Sequence, residues 1–334
     1  MTASPTAPVT LPADTPTSGV LPVAIVIPTF DRAVLVGQAV LAALEQTHPD
    51  TVIIVVDDGS TDATAEALVS YAGDPRLSVV RLARNLGTAA AKNVGLMLSG
   101  ARAVTFHDSD DLPHRDKVLQ QAQMMAQGPL PAEPGLNWAT IGQTAGAALP
   151  VAAVLCHHDL MLLSGRVVQI RRSLSLVDDL FPNLQFDAQL PGDWMHVNSG
   201  LFHPGVFERL GGFMDAIEED REFRNRLILS GEVVRVLDAV LLTKFETEDA
   251  LTRRAETGYT SPRRAADRDR VWARVADWRA GKPVAPEPVD LPDLDISAIT
   301  NPENLKLSAA LATPATREAL QDALLKARAH TAAA

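Results

Sequence analysis

The segment AVTFHDSDD, residues 103–111, joins a short apolar run to three carboxylates within four residues. The apolar part is typical of a buried strand, and the acidic part begins where that strand ends. Side chains alternate along an extended backbone, so Asp108 and Asp110 share a face while Asp111 begins a turn towards Pro113. Like charges this close favour a cation between them, and Mg²⁺ or Mn²⁺ prefers such oxygen ligands. The alternative is a solvated acidic turn that caps a helix starting near Pro113.

Three further apolar runs precede this segment, and a stretch with helical spacing follows each of them. The runs are residues 23–27, 52–56 and 77–82, and the helical stretches are 34–44, 63–71 and 87–98. Continuous apolar strands that alternate with helices predict a parallel sheet covered on both faces. Ligands bind beyond the carboxyl ends of such strands, and polar residues follow all four ends, at 29–32, 57–62, 84–87 and 108–111. Their convergence favours a metal and phosphate site over separate solvated turns.

The second half of the chain has a less regular pattern. Residues 128–146, rich in Pro, Gly and Ala, predict an irregular insertion. Strands are predicted at 151–163, 166–172, 197–202, 233–236 and 239–245, with a helix from Glu218. The first two of these strands form a pair joined near Ser164. These elements predict a mixed sheet rather than a parallel one.

The tail of the chain combines a proline-rich stretch with a helix. From Ala280 to about Pro292 the composition is typical of a linker. Residues 315–329 predict a helix with Leu320, Leu324 and Leu325 on one side. That apolar side needs a partner surface, which leaves a homo-oligomer through this helix as an open interpretation.

The composition limits the classes of function. A net charge of −11 and a pI near 5.2 argue against a nucleic-acid-binding surface. The single cysteine, Cys156, excludes an intrachain disulfide framework and fits a reducing compartment. Residues 1–20 lack the basic and apolar regions of a signal peptide, and no apolar run approaches the roughly 20 residues of a membrane span. We therefore expect a cytoplasmic protein, with peripheral membrane association left open.

Two common nucleotide-binding motifs are missing from the sequence. Pro28-Thr29-Phe30-Asp31 follows the first strand, where a dinucleotide-binding protein would have G-x-G-x-x-G. The phosphate-loop pattern G-x-x-x-x-G-K-[ST] does not occur either. A nucleotide must therefore be held in another way.

Five motifs together resemble those of family 2 glycosyltransferases with the GT-A fold. They are VAIVIPTFDR (23–32), IIVVDDGSTD (53–62), RNLGTAAAKN (84–93), HDSDD (107–111) and GGFMDAIEED (211–220). The resemblance covers residues 22 to about 255. It implies an α/β, Rossmann-like sandwich with a mostly parallel central sheet, helices on both faces, a mixed acceptor-side half and a C-terminal helical tail. The resulting domain prediction is a disordered arm (1–21), a nucleotide-sugar-binding half (22–127), an acceptor-binding half (128–255) and a helical, Pro-rich extension (256–334).

The resemblance also implies a donor site for a nucleotide diphosphate sugar, expected to be a UDP-sugar, with Mn²⁺ or Mg²⁺ on the diphosphate. Residues that would hold the base and ribose are Pro28, Thr29, Asp31, Asp57 and Asp58. Which of Asp57 and Asp58 touches the base stays open. Arg84 and Lys92 would flank the nucleotide or diphosphate, and Lys92 stands where the family often has Arg, which keeps the charge but loses the forked geometry. Asp110 would bind the metal, and Asp108 the metal or the ribose.

For the acceptor side, the resemblance implies an inverting transfer with Asp220 as general base and Glu219 as its helper. From the residues alone, Glu218 to Asp220 could equally be an acidic helix N-terminus. Many relatives supply a His from a late loop, but residues 244–254 contain none, so Arg253 or Arg254 would serve the diphosphate. His157, His158 and Trp194 are open candidates for the acceptor side.

The expected function is transfer of one sugar to a glycan, lipid-linked or small-molecule hydroxyl acceptor, as in polysaccharide biosynthesis. The Q-x-x-R-W signature of processive synthases is absent from the sequence. Two alternatives remain, a sugar nucleotidyltransferase and a non-catalytic nucleotide-sugar-binding or assembly protein. The nucleotidyltransferase would need a Gly-rich, basic loop after the first strand, and that loop is missing.

Overall fold

The computed structural model describes residues 20–100, 102–127, 130–131, 148–149, 151–170, 197–230, 232–247, 255–286, 288–308 and 311–333. Residues 1–19 of the predicted arm, most of the insertion at 128–146, Trp194, Arg253 and Arg254 lie outside these residues. The described strands are β1 Val23–Thr29, β2 Thr51–Asp57, β3 Leu77–Leu82, β4 Ala103–Phe106, β5 Leu112–Pro113, β6 Leu130–Pro131, β7 Ala148–Leu149, β8 Val151–Met161, β9 Val167–Ile170, β10 Gly200–Phe202, β11 Val233–Phe245 and β12 Ile296–Thr300. The described helices are α1 Val36–Leu44, α2 Thr64–Val69, α3 Thr88–Leu98, α4 Lys117–Ala126, α5 Pro204–Leu210, α6 Glu219–Leu229, α7 Pro262–Arg279 and α8 Pro314–Ala333.

The main sheet has a parallel half and a mixed half, as predicted. Its order is β12-β3-β2-β1-β4-β10-β8-β11-β5, with β9 paired to β8. The pairs of β1 with β2, β1 with β4 and β2 with β3 are parallel, whereas β10 runs antiparallel to both β4 and β8. The predicted hairpin of β8 and β9 is confirmed. The fold is therefore the predicted α/β sandwich.

Burial on both faces explains why the first strands are continuously apolar. All seven residues of β1 are buried. Ala24 and Val26 pack into one hydrophobic cluster, while Ile25 and Ile27 pack into the cluster on the other side. A β-carbon at Gly95 of α3 would lie 2.4 Å from a methyl of Val26, so this glycine permits close packing of the helix on the sheet.

Two strand predictions in the second half need correction. Residues 233–245 form one strand, because register shifts near Leu237 and Val240 absorb the interruption instead of ending the strand. Residues 197–199 form a turn of 3₁₀ helix, and the strand begins only at Gly200.

The interpretation of the Pro-rich stretch as a linker is wrong. Val289 and Leu294 are buried in the main cluster, and Val289 exchanges backbone hydrogen bonds with Leu311 and Thr313. The strand β12 that follows pairs antiparallel with β3 and covers what would otherwise be an edge of the sheet. Leu320 and Leu324 of α8 belong to the same cluster, so the chain itself provides the partner surface that the helix needs. The apolar side of α8 therefore gives no reason to expect an oligomer.

Replacing Leu320 by Ala tests whether the tail is part of the core. Leu320 is fully buried, so we expect Leu320→Ala to lower the free energy of unfolding by about 3 kcal/mol in urea denaturation. Leu325→Ala on the same helix is the control, because that side chain is 65% exposed and should change stability by less than about 0.5 kcal/mol. Equal stability of the two variants would contradict the packing of α8.

Within the described part of the chain, no helix has both the length and the apolar character that crossing a bilayer requires.

Candidate active site

The parallel strands end at the same level, which brings their polar ends together. Thr29 lies opposite Asp57 in the register of β1 and β2, and His107 donates its backbone N–H to Val26 of β1 at 2.9 Å. Thr29 and Asp57 are both buried. Pro28 lies within β1, opposite Val56. The predicted convergence of loops at one edge of the sheet is therefore present.

The first two loops are tied together by Asp31. Its backbone is in the left-handed region with φ 50°, which Asp tolerates better than most residues. The Asp31 carboxylate accepts hydrogen bonds from the backbone N–H groups of Thr61 at 2.7 Å and Asp62 at 3.3 Å. In return, the Asp31 N–H donates to the Ser60 hydroxyl at 2.9 Å. Asp31 thus shapes the loops that would surround a nucleotide.

The Asp57–Asp58 pair joins the second loop to the third. The Asp57 carboxylate accepts from the Ser60 N–H at 2.9 Å and lies 3.4 Å from the Arg81 guanidinium. The Asp58 carboxylate accepts from the N–H groups of Leu86 at 2.7 Å and Gly87 at 2.8 Å. Burial raises the pKa of Asp58 to about 7, although these two donors oppose the rise. Asp58 therefore fixes the loop before α3, and the assignment of either carboxylate to the base stays a prediction.

Asp58→Asn should loosen that loop. An amide offers one acceptor oxygen and turns an NH₂ group towards a second backbone N–H, so one hydrogen bond is lost. We expect the free energy of unfolding to fall by about 1–3 kcal/mol in urea denaturation and the affinity for UDP to fall roughly tenfold in calorimetry. Glu66→Gln on the exposed side of α2 should change neither quantity. Unchanged UDP affinity in Asp58→Asn would remove this loop from the nucleotide site.

The three carboxylates after β4 have different partners. Asp111 is buried and forms an ion pair with the Lys244 ammonium at 2.6 Å. Asp108 accepts hydrogen bonds from the Asn198 side-chain amide and from Lys244, the latter at 3.4 Å. Asp110 keeps 23% of its side chain exposed, and its carboxylate lies 4.0 Å from the Arg32 guanidinium. The Asp108 side chain is more exposed, at 31%, but its Oδ2 already bonds Asn198 and Lys244. Asp110, whose described ion pair is the long one to Arg32, is the less engaged of these two carboxylates.

The charges around these carboxylates set their pKa values in opposite directions. Burial would raise the pKa of Asp108, but Lys244 and Lys92 outweigh burial and lower it. Burial and the neighbouring Asp108 raise the pKa of Asp110. Burial would lower the pKa of Lys244, but Asp111 and Asp108 outweigh burial and raise it, so this lysine stays charged. A cation bound at Asp110 would relieve the repulsion between Asp108 and Asp110.

The cluster fits a metal that is shared with a ligand rather than one held by protein alone. Among the described residues, no group of three or more His, Cys, Asp or Glu side chains could hold a metal ion. Asn198 and Lys244 both bond Oδ2 of Asp108, and Lys244 also bonds Asp111, so the Asp110 carboxylate together with Oδ1 of Asp108 could offer oxygens to a metal. A hard divalent ion commonly binds one or two carboxylates and completes its shell with phosphate oxygens and waters. Asp110 meets that requirement.

The predicted acceptor-side carboxylates are paired with Lys92. This lysine is almost completely buried, and its ammonium donates to Asp220 at 2.6 Å and to Glu219 at 3.0 Å. Burial alone would lower the pKa of Lys92, but Asp220 and Glu219 outweigh burial and raise it. Burial raises the pKa of Glu219 to about 7, although Lys92 opposes the rise. Lys92 thus contacts the two carboxylates predicted for the acceptor side, and the charge of Asp108 also raises its pKa.

Arg84, the other basic residue predicted for the nucleotide, lies at the surface. Its guanidinium forms a 2.9 Å ion pair with Asp293 of the C-terminal segment, and more than half of each side chain is exposed. Such an exposed pair contributes little to stability, and an incoming phosphate could replace the Asp293 carboxylate. The roles predicted for Arg253 and Arg254 fall outside the described residues.

The segment that carries these loops is similar to a known protein family. The model of the family named Glycosyl transferase family 2 matches residues 24–131. Residues 24–131 are therefore similar to a family 2 glycosyltransferase domain. The matched segment runs from β1 to β6 and includes the carboxylates predicted for the donor side, whereas Lys244, Glu219 and Asp220 come from beyond it.

Proteins similar to this chain are known from sequence and from structure. The predicted teichuronic acid biosynthesis glycosyltransferase TuaG of Bacillus subtilis is 37% identical over 106 residues, which are 31% of this chain and 42% of TuaG. The chain therefore spans less than half the length of that relative. Staphylococcus aureus TarS in complex with UDP-GlcNAc has a TM-score of 0.55 at 18% identity, covering 78% of this chain and 67% of TarS. The mannosyltransferase PcManGT of Pyrobaculum calidifontis, in complex with GDP-Man and Mn²⁺, has a TM-score of 0.50 at 19% identity, covering 94% and 76%. These likenesses show that the fold is GT-A.

Several residues that contact the carboxylates after β4 were not predicted as site residues. Lys244 ends β11, Asn198 precedes β10, and both contact Asp108. Their positions depend on the pairing of β11, β8, β10 and β4, which the local sequence does not encode. Arg32 had a signal, because it directly follows Asp31 in the loop after β1.

The described histidines have structural partners. His107 is buried, with a ring nitrogen 3.4 Å from the Lys117 ammonium, and burial lowers its pKa well below the ordinary value. His157 lies 3.1 Å from Asp238. The ring of His203 accepts the Gly205 N–H at 3.2 Å and caps α5. These contacts give no support for the open assignment of His157 to the acceptor side, and His158 is likewise buried.

Proposed function

We propose that this protein is a metal-dependent, inverting glycosyltransferase that moves a sugar from a UDP-sugar to a hydroxyl acceptor, with Asp220 as general base. The observation that carries the proposal is the position of Lys92. Its ammonium donates hydrogen bonds to Asp220 and Glu219 of α6, and the charge of Asp108 after β4 also raises its pKa. Lys92 therefore links the carboxylates proposed for the acceptor side with the charge of Asp108, which is proposed for the donor side.

On the donor side, a departing nucleotide diphosphate gains negative charge on its oxygens. Arg32 and Lys244 are the described cations next to Asp110 and Asp108, and Arg84 lies at the rim of the third loop. Mn²⁺ or Mg²⁺ at Asp110 would neutralise part of that charge. Asp31, Asp57 and Asp58 shape the loops that would enclose the base and ribose.

On the acceptor side, inversion requires a hydroxyl to attack the sugar from the face opposite the diphosphate, and a base to take its proton. Lys92 holds one oxygen of the Asp220 carboxylate, and about a third of this side chain is exposed. The ion pair thus fixes the orientation of the carboxylate while leaving it accessible. Glu219, buried beside it, shares Lys92 and acts as the helper that positions the base.

The substrate classes rest on likeness to other proteins. The TarS complex contains UDP-GlcNAc, the PcManGT complex contains GDP-Man with Mn²⁺, and the name of TuaG refers to teichuronic acid biosynthesis. We propose a UDP-sugar donor and a glycan, lipid-linked or small-molecule acceptor. A cytoplasmic site of action is part of the same proposal, in keeping with the single cysteine.

The test is UDP release from UDP-GlcNAc and from UDP-glucose, with Mn²⁺ and with EDTA. We expect Mn²⁺-dependent release of UDP, and its loss in Asp110→Ala. A sugar nucleotidyltransferase would instead form UDP-sugar and pyrophosphate from a sugar phosphate and UTP. A non-catalytic binding protein would bind UDP and release none from either donor. Either result would overturn the proposal.

A further inference from the structure

The helix that carries the proposed base begins at a buried, arginine-bound carboxylate. Glu218 directly precedes α6 and accepts the backbone N–H of Glu222 at its own carbonyl, at 3.0 Å. Its side chain is only 4% exposed. Within the described chain, the Glu218 carboxylate forms ion pairs with Arg221, with Arg264 at 3.1 Å and with Arg268 at 3.2 Å. Arg264 and Arg268 belong to α7, which lies outside the segment matched by the family model.

One face of α7 contacts the segment that leads into α6 and the first turn of α6 itself. Asp267 accepts the Ile217 N–H at 2.8 Å, and Arg270 donates to the Asp215 carbonyl at 2.7 Å. One turn further, Arg274 lies 3.5 Å from the Glu222 carboxylate. Residues spaced three or four apart share a helix face, so these contacts form a single stripe along α7.

The ion pairs of Glu218 are better suited to fixing the position of this residue than to stabilising the fold. Removing a carboxylate and several guanidinium groups from water has a desolvation penalty that apolar side chains of similar size would not have. What charged, forked groups provide instead is a fixed direction, because guanidinium N–H groups bind carboxylate oxygens along set lines. The two residues after Glu218 are Glu219 and Asp220, so its position sets theirs.

We propose that Arg264 and Arg268 are positioning residues, which through Glu218 hold the first turn of α6 so that Asp220 stays paired with Lys92. This inference rests on the proposed function, since it assigns the role of base to Asp220. It makes α7 part of the active site's support rather than part of an appended tail. Arg268 is the better residue to vary, because a quarter of its side chain is exposed and Arg264 also bonds the Thr257 carbonyl at 2.7 Å.

The experiment compares Arg268→Ala, Arg268→Lys and Glu218→Gln with the wild type. We expect Arg268→Ala and Glu218→Gln to slow UDP release from UDP-GlcNAc or UDP-glucose by about tenfold or more, since small displacements of catalytic groups have such effects. The Kd for UDP in Mn²⁺ should stay within about twofold of wild type, and Arg268→Lys should recover part of the rate. Amide hydrogen exchange at residues 219–222 should speed up roughly tenfold, with exchange in β1 unchanged. Arg263→Ala, an exposed arginine of the same helix, is the matched control and should behave as wild type.

The outcomes separate this inference from the proposed function. If the wild type releases UDP, and Arg268→Ala and Glu218→Gln release it at the wild-type rate, the positioning role is wrong. If UDP affinity falls in parallel with the rate, the contact is only structural. If the wild type releases no UDP from either donor, the proposed function fails. The positioning of α6 by α7 is then tested by hydrogen exchange alone, and it is wrong if residues 219–222 of Arg268→Ala exchange at the wild-type rate.

Discussion

Asp220→Asn should reduce UDP release by about 10²–10⁴-fold, the usual contribution of a general base. The amide has nearly the same shape as the carboxylate but cannot take a proton from the acceptor hydroxyl. Because Asp220 lies on α6 and the donor-side residues lie in the loops after β1, β2 and β4, the affinity for UDP should stay within about twofold of wild type. Rate measurements at saturating donor, together with calorimetric titration of UDP, check both parts.

The control for this variant is Asp215→Asn. Asp215 is an exposed carboxylate five residues before Asp220, in the segment that leads into α6. Its replacement removes one negative charge near the site and should leave the rate unchanged. A rate for Asp220→Asn within tenfold of wild type would mean that another residue is the base.

Lys92→Met should destabilise the protein by about 3 kcal/mol near pH 8, since it leaves buried carboxylates without their cation. Lys92 is almost completely buried, and so is Glu219, whereas Asp220 is partly exposed and screened by water. Most of the effect should therefore come from Glu219. Urea denaturation of wild type and variant measures it.

The pH dependence of this loss has a definite sign. Burial raises the pKa of Glu219 in the folded protein to about 7, compared with an ordinary value of 4.5. A carboxyl whose pKa is raised on folding stabilises the protein below the unfolded value and loses that contribution as the pH rises towards the folded value. Without Lys92 the pKa of Glu219 rises further, so the deficit of Lys92→Met should be smaller at pH 5 than at pH 8.

Lys282→Met is the matched control for the loss of a paired lysine. Lys282 forms a 2.8 Å ion pair with Asp277, but both side chains are more than half exposed. Such a pair contributes about 0–1 kcal/mol, and its removal should show no comparable dependence on pH. Equal stability of Lys92→Met and wild type at pH 8 would contradict the buried ion pair.

The donor half of the fold could be predicted from the sequence because its signals are local. Each strand is a short apolar run, each is followed by polar residues, and parallel strands bring those residues to one edge. The pairing of Thr29 with Asp57 is the direct result. The burial of β1 on both faces follows from its lack of polar residues before Thr29.

The partners of the charged residues could not be predicted in the same way. Whether Lys92 turns towards the diphosphate or towards α6 depends on how α3 and α6 pack, and their contacting residues are 127 or more positions apart. Lys244 reaches Asp111 only because β11 joins the sheet next to β8 and β5. Long-range packing decides both.

The C-terminal segment was missed for a related reason. Val289 and Leu294 are single apolar residues among prolines and aspartates, which gives no helical or strand periodicity. Their burial depends on the main cluster, and β12 forms because β3 offers an unpaired edge. A segment whose composition is typical of a linker can therefore still be part of the hydrophobic core.

The most direct test of the account is calorimetric titration of UDP into wild-type protein and Asp110→Ala, each with Mn²⁺ and with EDTA. If Asp110 shares a metal with the diphosphate, as proposed, Mn²⁺ should tighten UDP binding to the wild type by about tenfold or more and should have little effect on the variant. In EDTA the two proteins should bind UDP alike. Equal Mn²⁺-dependent affinity in Asp110→Ala and wild type would contradict the donor site described above.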